Sequence, residues 1–412
     1  MTQQLRPRAK WIAWMCMIVY FASYIMRINF TVLLVKVCSD MQVEKTALAV
    51  VVTGLTVTYG IGQIVSGFIG DKIRPQLLLS AGLASAGLCN IALFFCHSIP
   101  LMTVVWCLNG FSHALMWPPM VRLMSMYLTD EEYGYAAVRA SWGSSFATIV
   151  LYLVCPLLLQ VLHWRVILLL CAGVGLGILA LWLAVNPKLL TEPLRDAPKA
   201  KNGAAQTAAL PGFVYLPIGL IMLGIVLQGI LRDGVTNWMP SYLLETFRLP
   251  EENAIIVTVV LALFSVVSFA AFDLLHRKLF KNEVFCSAVI FIASALCSAA
   301  LYFANTLGTT VAFSALLMAV VVACMHGINL MLITVVPKRF AKSGKVSTYS
   351  GLLNSCTYVG AALSTYGFAV LADHFGWSFT ILTWVAVSIA GAAVCLLATR
   401  PWQRFRKEYA DN

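Results

Sequence analysis

The stretch Trp11-Ile-Ala-Trp-Met-Cys-Met-Ile-Val-Tyr20-Phe-Ala-Ser-Tyr24-Ile-Met-Arg27-Ile-Asn29-Phe30-Thr-Val-Leu-Leu-Val-Lys36 decides the fold. Between its ends it is almost wholly apolar, with a single interior charge, Arg27. About 20 apolar residues in a helix cross the roughly 30 Å hydrocarbon core of a bilayer. The run is continuous and does not alternate with period two, so it is a helix and not a barrel strand. Similar runs recur at 47–69, 77–96, 100–127, 136–160, 164–186, 213–243, 254–275, 284–304, 308–334, 348–372 and 377–399. The expected fold class is therefore an all-α membrane protein of twelve transmembrane helices in two six-helix halves.

Composition agrees. Of the 412 residues, 60% are hydrophobic and 11% charged, with mean hydropathy +0.86. A soluble domain carries about 25% charge. The twelve cysteines form no C-x-x-C pair and lie mostly in apolar runs, where a thiol behaves as a small hydrophobe. Neither a disulfide framework nor a metal site is implied, and no cofactor is expected. The first span follows a short basic tail, Arg6 to Lys10, without an A-x-A cleavage pattern, and is read as retained.

The net charge of +11 is a matter of topology. With those spans, twenty Lys and Arg fall on the side of both termini and four, Lys36, Lys45, Arg165 and Arg248, on the other. The positive-inside rule puts both termini in the cytoplasm of a multi-pass protein of the cell inner (plasma) membrane, so a nucleic-acid partner is not expected. Four basic residues remain within or at the ends of spans: Arg27, Arg122, Arg139 and Arg232.

The one long polar connection, 187–212, contains Pro193, Pro198 and Pro211 and reads as a flexible cytoplasmic linker between an N-terminal half, 1–186, and a C-terminal half, 213–412. The halves echo each other. Arg27 and Arg232 occupy the first helix of each, Asp71 and Asp273 the cytoplasmic end of the second, His113 and His326 the fourth. A parallel repeat about the membrane normal has this signature.

An intramembrane guanidinium costs several kcal/mol unless it meets a wet cavity or a partner. Arg27 and Arg232, from related helices, are expected to converge and hold one anion through forked, charge-assisted bonds. The plainer alternative pairs each with an acid, but Asp233, the nearest, projects about 100° around the helix from Arg232. In Trp117-Pro118-Pro119 the prolines cannot donate to the carbonyls of Ala114 and Leu115, so the fourth span should bend there; whether Trp117 also touches substrate stays open. Gly67-x-x-Gly70-Asp71-Lys72-x-Arg74 suggests an inward gate in which Asp71 pairs with Arg122, with Asp273 as its counterpart. Gly62, Ser66 and Gly70 form a stripe for close helix packing. His113 and His326 are candidates for substrate contact or protonation, although a lone intramembrane His is more often a packing residue. No arrangement supporting catalysis is found.

Several of these segments together resemble the major facilitator superfamily, and within it the organophosphate:phosphate antiporter family. Tyr24-x-x-Arg27-x-Asn29-Phe30 is similar to that family's first helix, and Leu108-Asn109-Gly110 with Trp117-Pro118-Pro119 to its fourth. Leu231-Arg232-Asp233-Gly234 through Trp238-x-Pro240-x-Tyr242-Leu243 resembles its seventh. Gly351 to Gly360 and Asp373 to Trp377 resemble its eleventh and the turn after it. The resemblance implies an antiporter of the rocker-switch type, in which Arg27 and Arg232 clasp a phosphate group and inorganic phosphate is exchanged for a sugar or glycerol phosphate. It also implies that Tyr20, Tyr24 and Tyr358 line the pocket, and Gln63, Ser144, Gln228 and Asn354 complete the expected contacts. A monomer in the lipid bilayer, binding a small anionic substrate, is expected. Three departures bear on the substrate: Gln63 stands where the family often has lysine, Ser144 or its neighbour replaces a histidine, and Gly229 replaces a tyrosine. A smaller or less charged anion, or a bulkier one filling the space at Gly229, would suit this pocket. Proton-coupled symport of an organic anion, with Asp233, His113 or His326 carrying the proton, and a transporter-like sugar-phosphate sensor are the alternatives.

Overall fold

The computed structural model describes residues 5–191, 193–194 and 210–410, and all regular structure among them is helical. Most of the expected linker, residue 192 and residues 195–209, lies outside the described residues. The helices are α1 Pro7–Met41, α2 Lys45–Gly70, α3 Pro75–Phe94, α4 Ile99–Ala114, α5 Trp117–Tyr127, α6 Asp130–Leu158 and α7 Trp164–Leu189. They continue with α8 Tyr215–Phe247, α9 Glu251–Lys278, α10 Glu283–Leu307, α11 Val311–Asn329, the short α12 Val336–Lys338, and α13 Val346–Phe405.

Local chemistry sets the ends of these elements. Proline occupies the first turn of α1, α3, α4 and α5, where its missing N–H would have had no helical partner. Helix α6 opens on a capping box: Thr129 Oγ1 accepts from Glu132 N, and Glu132 returns a carboxylate oxygen to Thr129 N at 3.0 Å. Asn282 caps α10 through Val284 N and Phe285 N.

The proline break falls where the sequence places it. Leu115 N and Met116 N bond the carbonyls of Ser112 and His113, three residues back, and regular bonding resumes at Met120. The fourth span is thus two helices, α4 and α5, bent at Leu115–Met116. Before Pro337 the backbone widens into a π-helical turn over Leu330–Val335, and Pro337 accounts for it in the same way.

Eleven helical elements among the described residues are long and apolar enough to cross a membrane. The last expected pair, 348–372 and 377–399, falls in the single run α13, whose backbone leaves helical geometry at Gly376, φ 76°. Left-handed φ of this kind suits glycine alone without strain.

The chain forms two compact units. The first comprises residues 1–208 with 340–352, so the opening turns of α13 pack within it. Here α1 lies against α6, α2 against α4 and α3 against α7. A core of Phe30, Leu33, Val37, Leu93, Trp106, Trp164 and Leu168 fills the end remote from the N-terminus. In the second unit, 209–339 with 353–412, α11 packs on α8, α9 and α10. Large apolar side chains such as Leu77, Leu88, Leu157, Leu296 and Leu397 point outward, as expected where lipid is the solvent.

Each unit ties down one end with a buried glutamate. Glu132 takes Arg6 Nε at 2.7 Å. Glu283, wholly buried, takes Arg339 Nε and Arg406 Nη1, each at 3.0 Å, on its two oxygens. Removing one member of such a set strands charge in the interior at a cost of about 3–5 kcal/mol, whereas an exposed pair is worth about 0–1 kcal/mol. Glu283→Gln should therefore lower the thermal unfolding midpoint of the purified protein markedly. Glu408→Gln, which breaks the exposed Arg404–Glu408 pair, should scarcely move it.

Candidate functional site

The four interior basic residues separate into two kinds. Arg122 donates to the backbone carbonyls of Gly70 and Ile73, so it braces the turn after α2. Arg139 stacks on Tyr135, close to Trp14 and Trp142, and donates to Tyr135 O. Both are engaged by their immediate surroundings. Arg27 and Arg232 lie deep within α1 and α8.

Arg27 is 9% exposed, with its guanidinium 3.9 Å from the centre of the Tyr24 ring and 4.7 Å from that of Tyr59. Aromatic faces stabilise a desolvated cation by about 2 kcal/mol or more. Tyr24 packs edge-on against Tyr20, which packs on Trp117. The rings of α1 and α5 and the Tyr59 ring of α2 thus form one aromatic wall on which the charge rests. The backbone under it is held by buried amides. The Met26 carbonyl accepts from Asn90 at 2.9 Å and Asn109 at 3.1 Å, and Asn29 donates to Asn90 Oδ1 at 2.7 Å. Reasoning from sequence missed Tyr59 and Asn90 as parts of this site. Asn90, a lone amide in the apolar run of α3, was the available signal.

His113 is buried, its Nδ1 3.0 Å from Ser23 Oγ, which makes it part of the seam between α1 and α4. Gln63 is fully buried, and its carbonyl faces Gly351 so closely that a Cβ there would collide with it. Gly67 and Gly70 abut Ser347 in the same way, and Gly62 abuts Phe111 and Ala114. The small-residue stripe of α2 therefore serves two neighbours. Ser144 is half-buried and returns its hydroxyl to Ser141 O.

In the second unit Arg232 meets Asp233 in a two-pronged pair, Nε to Oδ1 and Nη2 to Oδ2, each 2.8 Å. This corrects the expectation that adjacent side chains diverge too far to meet. Their Cβ atoms do point about 100° apart, but the long arginine lies across the helix surface to reach its neighbour. Gln228 donates to Met325 O at 3.1 Å, and His326 stands edge-on to Phe269. Asn354 is buried and Tyr358 half-buried on α13. Gly229 offers no room for a bulkier ligand: a Cβ there would strike the backbone of Thr357, and one on Gly360 the backbone of Val226 and Ile230. The missing tyrosine side chain marks a close helix crossing.

The contacts of Asp71 differ from the expected ion pair with Arg122. The Asp71 carboxylate accepts from Ser347 N and Thr348 N, both at 2.8 Å, at the start of α13. Arg122 acts on it through space and grips the adjacent carbonyls. Burial raises the Asp71 carboxyl above the usual carboxylate range, against the opposing pull of Thr348, Ser347 and Arg122. Asp273 pairs with Arg277, one turn along its own helix.

These features have counterparts among known proteins. A probable hexose phosphate transport protein of Chlamydia muridarum is 30% identical over 129 residues, 31% of this chain; the matched part spans 27% of that protein. A probable hexose phosphate transport protein of Chlamydia pneumoniae is 23% identical over 402 residues, covering 90% of this chain and 87% of its own. The solved structure of the E. coli fucose:proton symporter superposes with a TM-score of 0.72 at 13% identity, covering 96% of this chain and 99% of that one, a likeness of fold. The Major Facilitator Superfamily description matches residues 16–365, most of the sequence, and the chain belongs to that superfamily of membrane proteins.

Proposed function

We propose that this protein is a secondary transporter that exchanges a small phosphorylated organic anion, such as a sugar or glycerol phosphate, for inorganic phosphate by alternating access. Twelve membrane crossings in two halves, with α4–α5 counted as one crossing and α13 as two, fit the reading. The observation that carries it is Arg27: a guanidinium buried in mid-helix, seated on tyrosine faces and positioned by a buried amide cluster. Such expenditure on one cation inside an apolar helix is characteristic of a ligand site. In this reading Arg232, deep in α8 of the second unit, is the second anion-binding guanidinium. Phosphate suits a planar fork better than a point charge. Tyr20, Tyr24, Trp117 and Tyr358 shape the chamber. Asp71, Arg122 and Asp273 hold the cytoplasmic ends between cycles. The names of the relatives support a phosphorylated substrate.

One observation favours a second reading. Asp233 already occupies an edge of Arg232, and protonating it would release that edge, which is the arrangement a proton-coupled symporter of organic anions would use.

Uptake into proteoliposomes separates the two readings. Exchange predicts that labelled glycerol 3-phosphate or hexose 6-phosphate enters only vesicles preloaded with phosphate, whatever pH gradient is imposed. Accumulation driven by an inward proton gradient into phosphate-free vesicles would replace exchange with symport. Arg27→Lys keeps the charge and loses the fork, and should cut transport by about tenfold or more. Wild-type rates in that variant would remove Arg27 from the binding site.

A further inference from the structure

We propose that Asp233 is a specificity-determining residue, a tethered carboxylate that an incoming anion must displace from Arg232, so that only anions carrying more than one negative charge bind well. The inference rests on the carrier reading above, in which Arg232 meets the anion.

The geometry is that of a substrate carboxylate already bound. Two parallel N–H···O contacts of 2.8 Å engage Nε and Nη2, the fork that planar carboxylate and phosphate groups seek. The pair is partly buried, with side chains 18% and 25% exposed, which strengthens it over a surface pair yet leaves it within reach of a ligand. Its backbone is held in place. Gly229 precedes it in contact with Thr357, and Gly234 follows it against Ser364 and Phe368, so α8 is seated on α13 on both sides of the pair.

An ion entering here exchanges with a neighbour already in place. A monocarboxylate would replace one carboxylate with another, gain no charge, and still lose its freedom of motion on binding. A dianionic phosphate ester brings a second negative charge and further oxygens, and can outcompete the tethered group. Selectivity arises because a built-in rival rejects weak competitors. After the anion leaves, the carboxylate returns and keeps the desolvated guanidinium neutralised.

Equilibrium binding of labelled inorganic phosphate to the purified full-length protein, with acetate as competitor at constant ionic strength, tests this. In the wild type acetate should compete poorly. Asp233→Asn should bind phosphate about tenfold tighter and let acetate compete, because the rival charge is gone. Asp233→Ser should do the same, while Asp233→Glu should keep wild-type selectivity. Asparagine and serine variants that bind phosphate no tighter, or that still exclude acetate, would overturn the inference while leaving the carrier reading intact. Loss of folded protein in both would also overturn it, marking Asp233 as a structural counter-ion. A wild-type protein that binds phosphate no better than Arg232→Gln would overturn both.

Discussion

The cost of holding a guanidinium inside an apolar helix governs this protein. Lipid offers no hydration, so each interior arginine must be matched by the protein or by what the protein carries. The two key arginines are matched differently. The charge of Arg27 rests on the faces of Tyr24 and Tyr59. Arg232 lies in the fork of Asp233, which cancels its charge.

Much of the remaining sequence serves to place those charges. Asn29, Asn90 and Asn109 form a buried amide network around the Met26 carbonyl, and hydrogen bonds of this kind hold helices together where lipid offers no hydrophobic drive. Glycines do the same by subtraction. Gly143 brings α6 against the backbone of α1 at Met17, and Gly229 and Gly360 bring α8 against α13. At the C-terminal end of α2, Asp71 places its carboxylate on the first amides of α13, where the helix dipole also favours negative charge. A contact built of two hydrogen bonds and one charge can break and re-form far more readily than a packed core.

The helical, membrane-spanning character was legible because it rests on a local property, the length of the apolar runs. The bend at Leu115–Met116 was legible too, since Pro118 and Pro119 remove donors whatever surrounds them. Contacts that depend on neighbouring helices were not. Asn90 could be seen as a polar exception within α3, yet nothing local says that it grips Met26. The Arg232–Asp233 pair was misjudged because projection angles describe Cβ directions and ignore how far an arginine reaches. Gly229 was misread as spare volume, because a missing side chain looks the same in sequence whether it faces a ligand or a helix backbone. The seating of residues 340–352 in the first unit likewise has no local sign in the sequence.

The central claim is that anion binding depends on both Arg27 and Arg232. A double-mutant cycle on inorganic phosphate affinity tests it most directly, using Arg27→Gln, Arg232→Gln and the double variant. Two groups gripping one ligand are strongly coupled, so either single change should remove most of the binding and the double variant should be little worse. Losses that simply add, or a single variant that keeps wild-type affinity, would contradict the claim.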